Sequence, residues 1–385
     1  MLAILVTTTA CGGGGAGNPD AVLGDTAIAI DAAPDAPPFC PSATSVDPAT
    51  AHEVLVAGDT SAEGIFDPSI VYPAGASAGA MAYSAVPDQE TIRTRIALSP
   101  DHGATWTMAA EINMPEVVSI AADPTECAGG VCAGKLISEV TSLVIDVDEP
   151  DANKRWKLFA HRYVVGAGVA LHYRVGTITL QTAAQPQGPW TAPQKLIGWN
   201  GPSAYSSTGI VTNVNTIGGS ASDCLVLTEP GAIWLPGALD LAVGCIYLDG
   251  ATPKIRIELL RSTTHGASWV SVGTLLRPDD AACLAPGASL NGPDLFVADG
   301  HEYIAATPSD QTGYHGCMTF EIDDPPTGHV KRDGTGRAIV ARSVTSSQFA
   351  GACTFSESGG GYALDIGFLQ AARKFRIFTA GVTTP

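Results

Sequence analysis

One octapeptide occurs twice in this chain, and no other feature narrows the fold so far. SPDHGATW runs from Ser99 to Trp106, and STTHGASW from Ser262 to Trp269. Both read Ser-x-x-His-Gly-Ala-(Thr/Ser)-Trp. Six of the eight positions agree, one of them conservatively, in a chain with only six Trp. Internal similarity of this kind is what a repeat architecture leaves behind. The first copy has the chemistry of a tight turn. Asp101 can accept from backbone N–H groups of its own turn, and Gly103 supplies a positive φ.

The motif resembles the Asp box, S-x-D-x-G-x-x-W, of sialidase-like and other β-propellers. There it joins the two outer strands of a blade. The resemblance implies that Trp106 packs between blades. The second copy carries Thr264 at the Asp position.

The rest of the chain fits an all-β reading. Short apolar runs alternate with Gly, Pro, Asp and Asn, and Gly (43) and Pro (27) are abundant in the 385 residues. Such runs read as strands and turns. An acidic residue opens a strand at Asp67, Glu139, Glu229 and Asp294, and a further unit opens near Cys353. The steps are 72, 90, 65 and about 59 residues. In the first three units a Trp (Trp106, Trp190, Trp269) follows the opening by 39, 51 and 40 residues. Units of four strands at this spacing predict a five-bladed β-propeller over residues 51–385. A six-bladed, sialidase-like propeller is the alternative, reached by splitting the step from Glu139 to Glu229. Blade five is expected to borrow a strand from residues 53–57.

The N-terminus reads as a signal. MLAILVTTTA-Cys11 resembles a bacterial lipoprotein leader, which implies cleavage before Cys11 and lipidation of its thiol. No Lys or Arg precedes the apolar run, and Thr8 stands where Leu is usual. Residues 12–50 are rich in Gly, Ala, Asp and Pro and read as a disordered linker. The expected location is therefore extracytoplasmic, anchored to a bacterial outer membrane or cell surface. Eight further cysteines then suggest disulfides. Proximity favours Cys127–Cys132, Cys224–Cys245 and Cys283–Cys317, leaving Cys40 with Cys353 to close the ring. The spacing of ECAGGVC does not suit zinc.

A net charge of −18 disfavours nucleic acid and anionic membranes as partners. The candidate chemistry lies in the acids that open the strands. Inner strands of a propeller line its channel, so Asp67, Glu139, Glu229 and Asp294 are expected at one mouth. Gathered carboxylates shift one another's pKa, so that one serves as acid and another as base.

The layout is similar to the five-bladed propellers of glycoside hydrolase family 43, on FDPSIVY around Asp67, SEVTSLVID around Glu139, LTEPGAIWL around Glu229 and the turn QGPWTAP. The resemblance implies Asp67 as general base, Glu229 as general acid and Glu139 as the residue that orients and tunes the acid. Blade two of that family usually has Asp, and Asp146 is the other acid on offer. Glu229 is followed by Pro-Gly instead of Gly-Pro. The resemblance also implies a His near a central ion, for which His315 is the candidate, and leaves room for Ca2+ in the channel. No other cofactor or metal is expected.

Carbohydrate is the expected partner of a monomeric protein. Trp234, Tyr72, Tyr205, Phe66 and Trp199 are candidates for stacking on sugar, with Asp294 and His315 as polar contacts. Two other functions fit the same chain. One is a non-catalytic scaffold or glycan-binding propeller, in which the acids are tied to backbone. The other is a sialidase, which needs an arginine triad. Arg93, Arg95 and Arg256 fall on later strands of their units, and Tyr362 is the available tyrosine.

Overall fold

The computed structural model describes residues 40–379, apart from 48, 89–90, 311–312, 347–349, 356–361 and 366–374; for 362–365 it describes the backbone alone. Cys11, the leader and most of the linker lie outside the described residues.

These residues fall into five sheets. Each has an inner strand: Gly64–Val71, Val131–Ile145, Val226–Leu235, Ser289–Ala298 and Gly351–Phe355, the second carrying Glu116–Ala121 on its first half. The next strands of each sheet pair outward in antiparallel order. Each inner strand packs on the next, and the fifth packs on the first. The five therefore close a ring, and the protein is a β-propeller. Alternating residues on each face drive this closure, because a sheet apolar on both faces must be covered twice. Buried clusters lie between successive sheets, for example Leu143 and Leu158 with Ala80, Ala82 and Ile96 between sheets one and two.

The repeated octapeptides join the third and fourth strands of sheets one and three. Ser99 Oγ accepts from Gly103 N at 2.8 Å, and Asp101 Oδ1 accepts from Thr105 N at 2.8 Å. In the second copy Ser262 Oγ accepts from Gly266 N at 2.8 Å, and the Thr264 hydroxyl accepts from Ser268 N at 2.9 Å. A hydroxyl thus does for the second turn what a carboxylate does for the first. His102 and His265 take φ of 54° and 56° in these turns. Trp106 and Trp269 are buried against neighbouring sheets.

Ring closure involves more than one borrowed strand. Thr44–Val46 adds in parallel to the outside of sheet four. His52–Glu53 completes sheet five against Ile377–Thr379. Val56–Ala57 adds in parallel to sheet one. The segment expected at 53–57 is therefore divided between two sheets, and residues 44–46 of the expected linker are a strand. This N-terminal segment laces three consecutive sheets along their outer edges.

The disulfides correct two expected pairings. Cys127–Cys132 and Cys224–Cys245 form as expected, but Cys40 joins Cys283 and Cys317 joins Cys353. Cys317 lies on the third strand of sheet four, facing the inner strand of sheet five, so its partner is across the sheet interface. Cys40 instead secures the start of the lacing segment beside sheet four, at the 310 turn Pro278–Cys283.

Candidate active site

Every inner strand carries the same two-residue bulge. The register slips by one at Asp67-Pro68, Val140-Thr141, Glu229-Pro230, Gly292-Pro293 and Ala352-Cys353. The first residue of each has positive φ: 49°, 47°, 49°, 55° and 51°. Three of the five second residues are Pro, which has no N–H to lose where the ladder is already interrupted. A bulge re-aims side chains and commonly stands beside an active site. Asp67 and Glu229 hold the first bulge position of sheets one and three. Glu139 stands one residue before it in sheet two.

Two residues after the bulge starts, the side chain serves the ring. Ser69 Oγ accepts from Leu143 N at 2.9 Å, and Ser142 Oγ accepts from Ala232 N at 2.8 Å. Asp294 holds the same position in sheet four, and its Oδ2 accepts from Phe355 N at 3.1 Å. Sheet three has Gly231 there, where a Cβ would lie 2.1 Å from Pro293 O. Asp294 thus stitches sheets four and five. Burial pushes its carboxyl up to about 7, against the pull of the Phe355 N–H and the Thr354 hydroxyl.

The other three acids come together. Glu139 is buried, and its Oε1 accepts from the Tyr163 hydroxyl at 2.5 Å. Burial raises its pKa, and that hydrogen bond opposes the rise. Glu229 is half-buried, and its Oε2 accepts from Gly292 N at 2.6 Å. Its carboxyl is pushed up to about 7, first by burial and then by the charge of Glu139; the Gly292 N–H and the Asn291 side chain pull it back. Asp67 is buried, with the Ser84 hydroxyl 3.5 Å from its Oδ2. All three acids act on the same two phenols. Tyr173 and Tyr314 are half-buried. Both are held well above the usual tyrosine range, by burial first and then by the charges of Glu229, Glu139 and Asp67. Three carboxylates from three inner strands and two phenols therefore lie close enough to feel one another's charge.

Sequence reasoning missed Tyr163, Tyr173, Tyr314, His161 and Asn291. The tyrosines sit on second and third strands or a short connection, where no spacing marks them. His161 pairs in register with Glu139. It is buried without a hydrogen-bond partner for Nε2, and burial lowers its pKa to about 3. It is a neutral imidazole tilted against the Tyr163 ring, with centroids 4.7 Å apart.

Several expected site residues are engaged in contacts of their own. Trp234, near the far end of its inner strand, packs on the cluster between sheets two and three. His315 pairs with Asp310 at 3.0 Å, and its neighbour Tyr314 is the residue that feels the carboxylates. Tyr72 packs near His102, Tyr205 lies under Lys195, and Trp199 is fully buried. Phe66, beside Asp67, stacks on Phe375 at 4.7 Å. Asp146 is buried in an ion cluster with Lys157 (3.5 Å) and His265 (2.9 Å), so Glu139 and not Asp146 is the acid of sheet two at the mouth.

The arginines a sialidase would need are occupied. Arg95 pairs with Asp59 at 2.9 Å and Glu111 at 2.7 Å, Arg93 pairs with Glu111 at 3.1 Å, and Arg256 pairs with Asp223 and Glu258. Tyr362 falls where only the backbone is described.

A central calcium does not fit the donors. Calcium takes about six to eight oxygens. Glu139, Glu229 and Asp294 each commit an oxygen to a protein donor. Among the described residues, metal-type side chains converge at three other places. Two of those include disulfide cysteines, and at the third the Lys157 ammonium pairs with both Asp146 and Glu149.

No protein-family model matches the chain, and no curated protein does. Solved structures with a similar course include the "Xyloglucan PUL GH43B" of Bacteroides ovatus, at 14% identity, TM-score 0.46, over 84% of this chain and 53% of that one. The chain thus spans about half the length of that protein. The catalytic domain of the Coprinopsis cinerea GH62 alpha-L-arabinofuranosidase is 12% identical, TM-score 0.45, over 87% of this chain and 96% of that one. Zg3597, a family 117 glycoside hydrolase of Zobellia galactanivorans, is 13% identical, TM-score 0.49, over 86% and 90%.

Proposed function

We propose that this protein is a carbohydrate-active propeller that hydrolyses a glycosidic bond of a neutral glycan with inversion. The observation that carries this reading is that Asp67 and Glu229 hold the same bulge position of two inner strands, with Glu139 beside the bulge of the inner strand between them. Inverting hydrolysis needs a protonated acid on one side of the bond and a base holding water on the other, about 6.5–9.5 Å apart. Glu229, at about 7, is partly protonated at neutral pH. In the proposed step it gives its proton to the leaving oxygen as the bond to the anomeric carbon breaks. Asp67 takes a proton from the attacking water as the new C–O bond forms. Glu139 supplies the neighbouring charge that keeps Glu229 an acid.

The test is hydrolysis of aryl-glycosides and oligosaccharides by the purified protein, with Asp67→Asn and Glu229→Gln as controls. Full turnover by either variant sinks the reading. A non-catalytic glycan-binding propeller is the second reading, and the hydrogen bond that ties Glu229 to Gly292 N favours it. Binding without turnover on every substrate would select it.

We also propose that the chain acts outside the cytoplasm, anchored through lipidated Cys11. The leader-like sequence and the four disulfides support this. Loss of palmitate labelling in Cys11→Ala is the expected result, and unchanged labelling would refute it.

A further inference from the structure

The geometry points to Tyr163 as a positioning residue that pins Glu139 as the fixed negative neighbour of Glu229. This rests on the reading of Glu229 as the acid and adds how its environment is held. Tyr163 is 1% exposed, so its phenol touches no substrate. Its hydroxyl donates to Glu139 Oε1 at 2.5 Å from the adjacent strand of the same sheet. Its ring is fixed by His161 at 4.7 Å and crossed edge-on by Tyr173 at 4.5 Å. A short bond from a neutral donor favours the charged form of the acceptor. Replacing the hydroxyl by hydrogen leaves a buried carboxylate without that donor, so it takes a proton.

The consequence reaches Glu229. The titratable groups facing the pair are Asp67 from sheet one, Tyr163, His161 and Tyr173 from sheet two, and Tyr314 from sheet four. His161 is uncharged and the tyrosines are neutral phenols. Arg162, the adjacent cation, is paired with Glu116 at 2.6 Å. The inner strands of Glu139 and Glu229 are neighbours, joined by Ala232 N donating to Ser142 Oγ at 2.8 Å, and after burial the Glu139 charge is what raises Glu229. Losing it lets Glu229 release its proton at lower pH.

The experiment follows the Glu229 carboxyl by 13C NMR in protein labelled at glutamate Cδ, with the signal assigned through Glu229→Gln. Tyr163→Phe is expected to lower the Glu229 midpoint on the order of one pH unit. Glu139→Gln should lower it equally, and the double variant no further. An unmoved midpoint in Tyr163→Phe beside a lowered one in Glu139→Gln overturns the proposal. Should Tyr163→Phe fail to fold, 3-fluorotyrosine at 163 keeps the hydroxyl and changes its acidity. A shifted midpoint then supports the proposal, and an unshifted one overturns it. No substrate is needed, so a failed hydrolysis screen would remove the glycosidase reading and leave this result standing.

Discussion

Asp67 and Glu229 occupy the same position of the same bulge, two sheets apart, with φ of 49° at each. That conformation costs a non-glycine residue roughly 1–2 kcal/mol. Strain of this kind clusters where a side chain must be aimed. Asp67→Asn and Glu229→Gln keep size and backbone, so both should stay folded, with Glu229→Gln gaining stability above about pH 7 because it removes an ionisation that burial disfavours. Their turnover should fall by about 10²–10⁴-fold. Circular dichroism beside a glycosidase assay checks both halves.

The bulge predicts a pair of opposite stability effects. Ala352 and Gly292 are equivalent, at φ 51° and 55°. Ala352→Gly should stabilise by about 1 kcal/mol and Gly292→Ala should destabilise by a similar amount. A Cβ on Gly292 meets nothing nearer than 3.6 Å, so backbone conformation alone decides that sign. Urea denaturation measures both.

Glu229 and Asp294 set a pH dependence. Each has a folded pKa of about 7, above its ordinary value. The folded protein therefore binds more protons than the unfolded chain between about pH 4 and 7. Stability contributed by these groups is full below about pH 4, falls as pH rises to about 7, and levels off above. Asp294→Asn keeps an acceptor for Phe355 N and removes one ionisation. At pH 8 it should raise stability by on the order of 2 kcal/mol and flatten the slope. Equal stability of variant and parent from pH 4 to 8 would contradict the stitch.

The lacing segment gives a covalent prediction. A non-reducing peptide map should recover Cys40 with Cys283 and Cys317 with Cys353. Cys40→Ser should cost about 2–4 kcal/mol, because its bridge closes 243 residues of chain. Recovery of Cys40 with Cys353 would contradict the structure.

The strands were legible because their chemistry is local. Asp67-Pro68 and Glu229-Pro230 announce both an acid and a place where the ladder lacks an N–H. The same Pro, at Pro293, reveals in hindsight that Gly292 and not Asp294 is the equivalent of Asp67. Asp294 reads as a fourth mouth carboxylate only while the bulge is uncounted, since one residue of slip turns a side chain to the other face. The tyrosines were not legible. Tyr163 reaches Glu139 through strand pairing, and Tyr314 feels the Glu229 charge from another sheet, relations that no local pattern encodes. The two exchanged disulfides share that cause: their partners meet only once the ring has closed.

The most direct test of the account is the anomeric outcome of hydrolysis, followed by 1H NMR on a substrate found in the glycoside screen. The parent protein is expected to release the inverted sugar first, with no turnover in Asp67→Asn or Glu229→Gln. First release of the retained anomer, or full turnover by either variant, would contradict it.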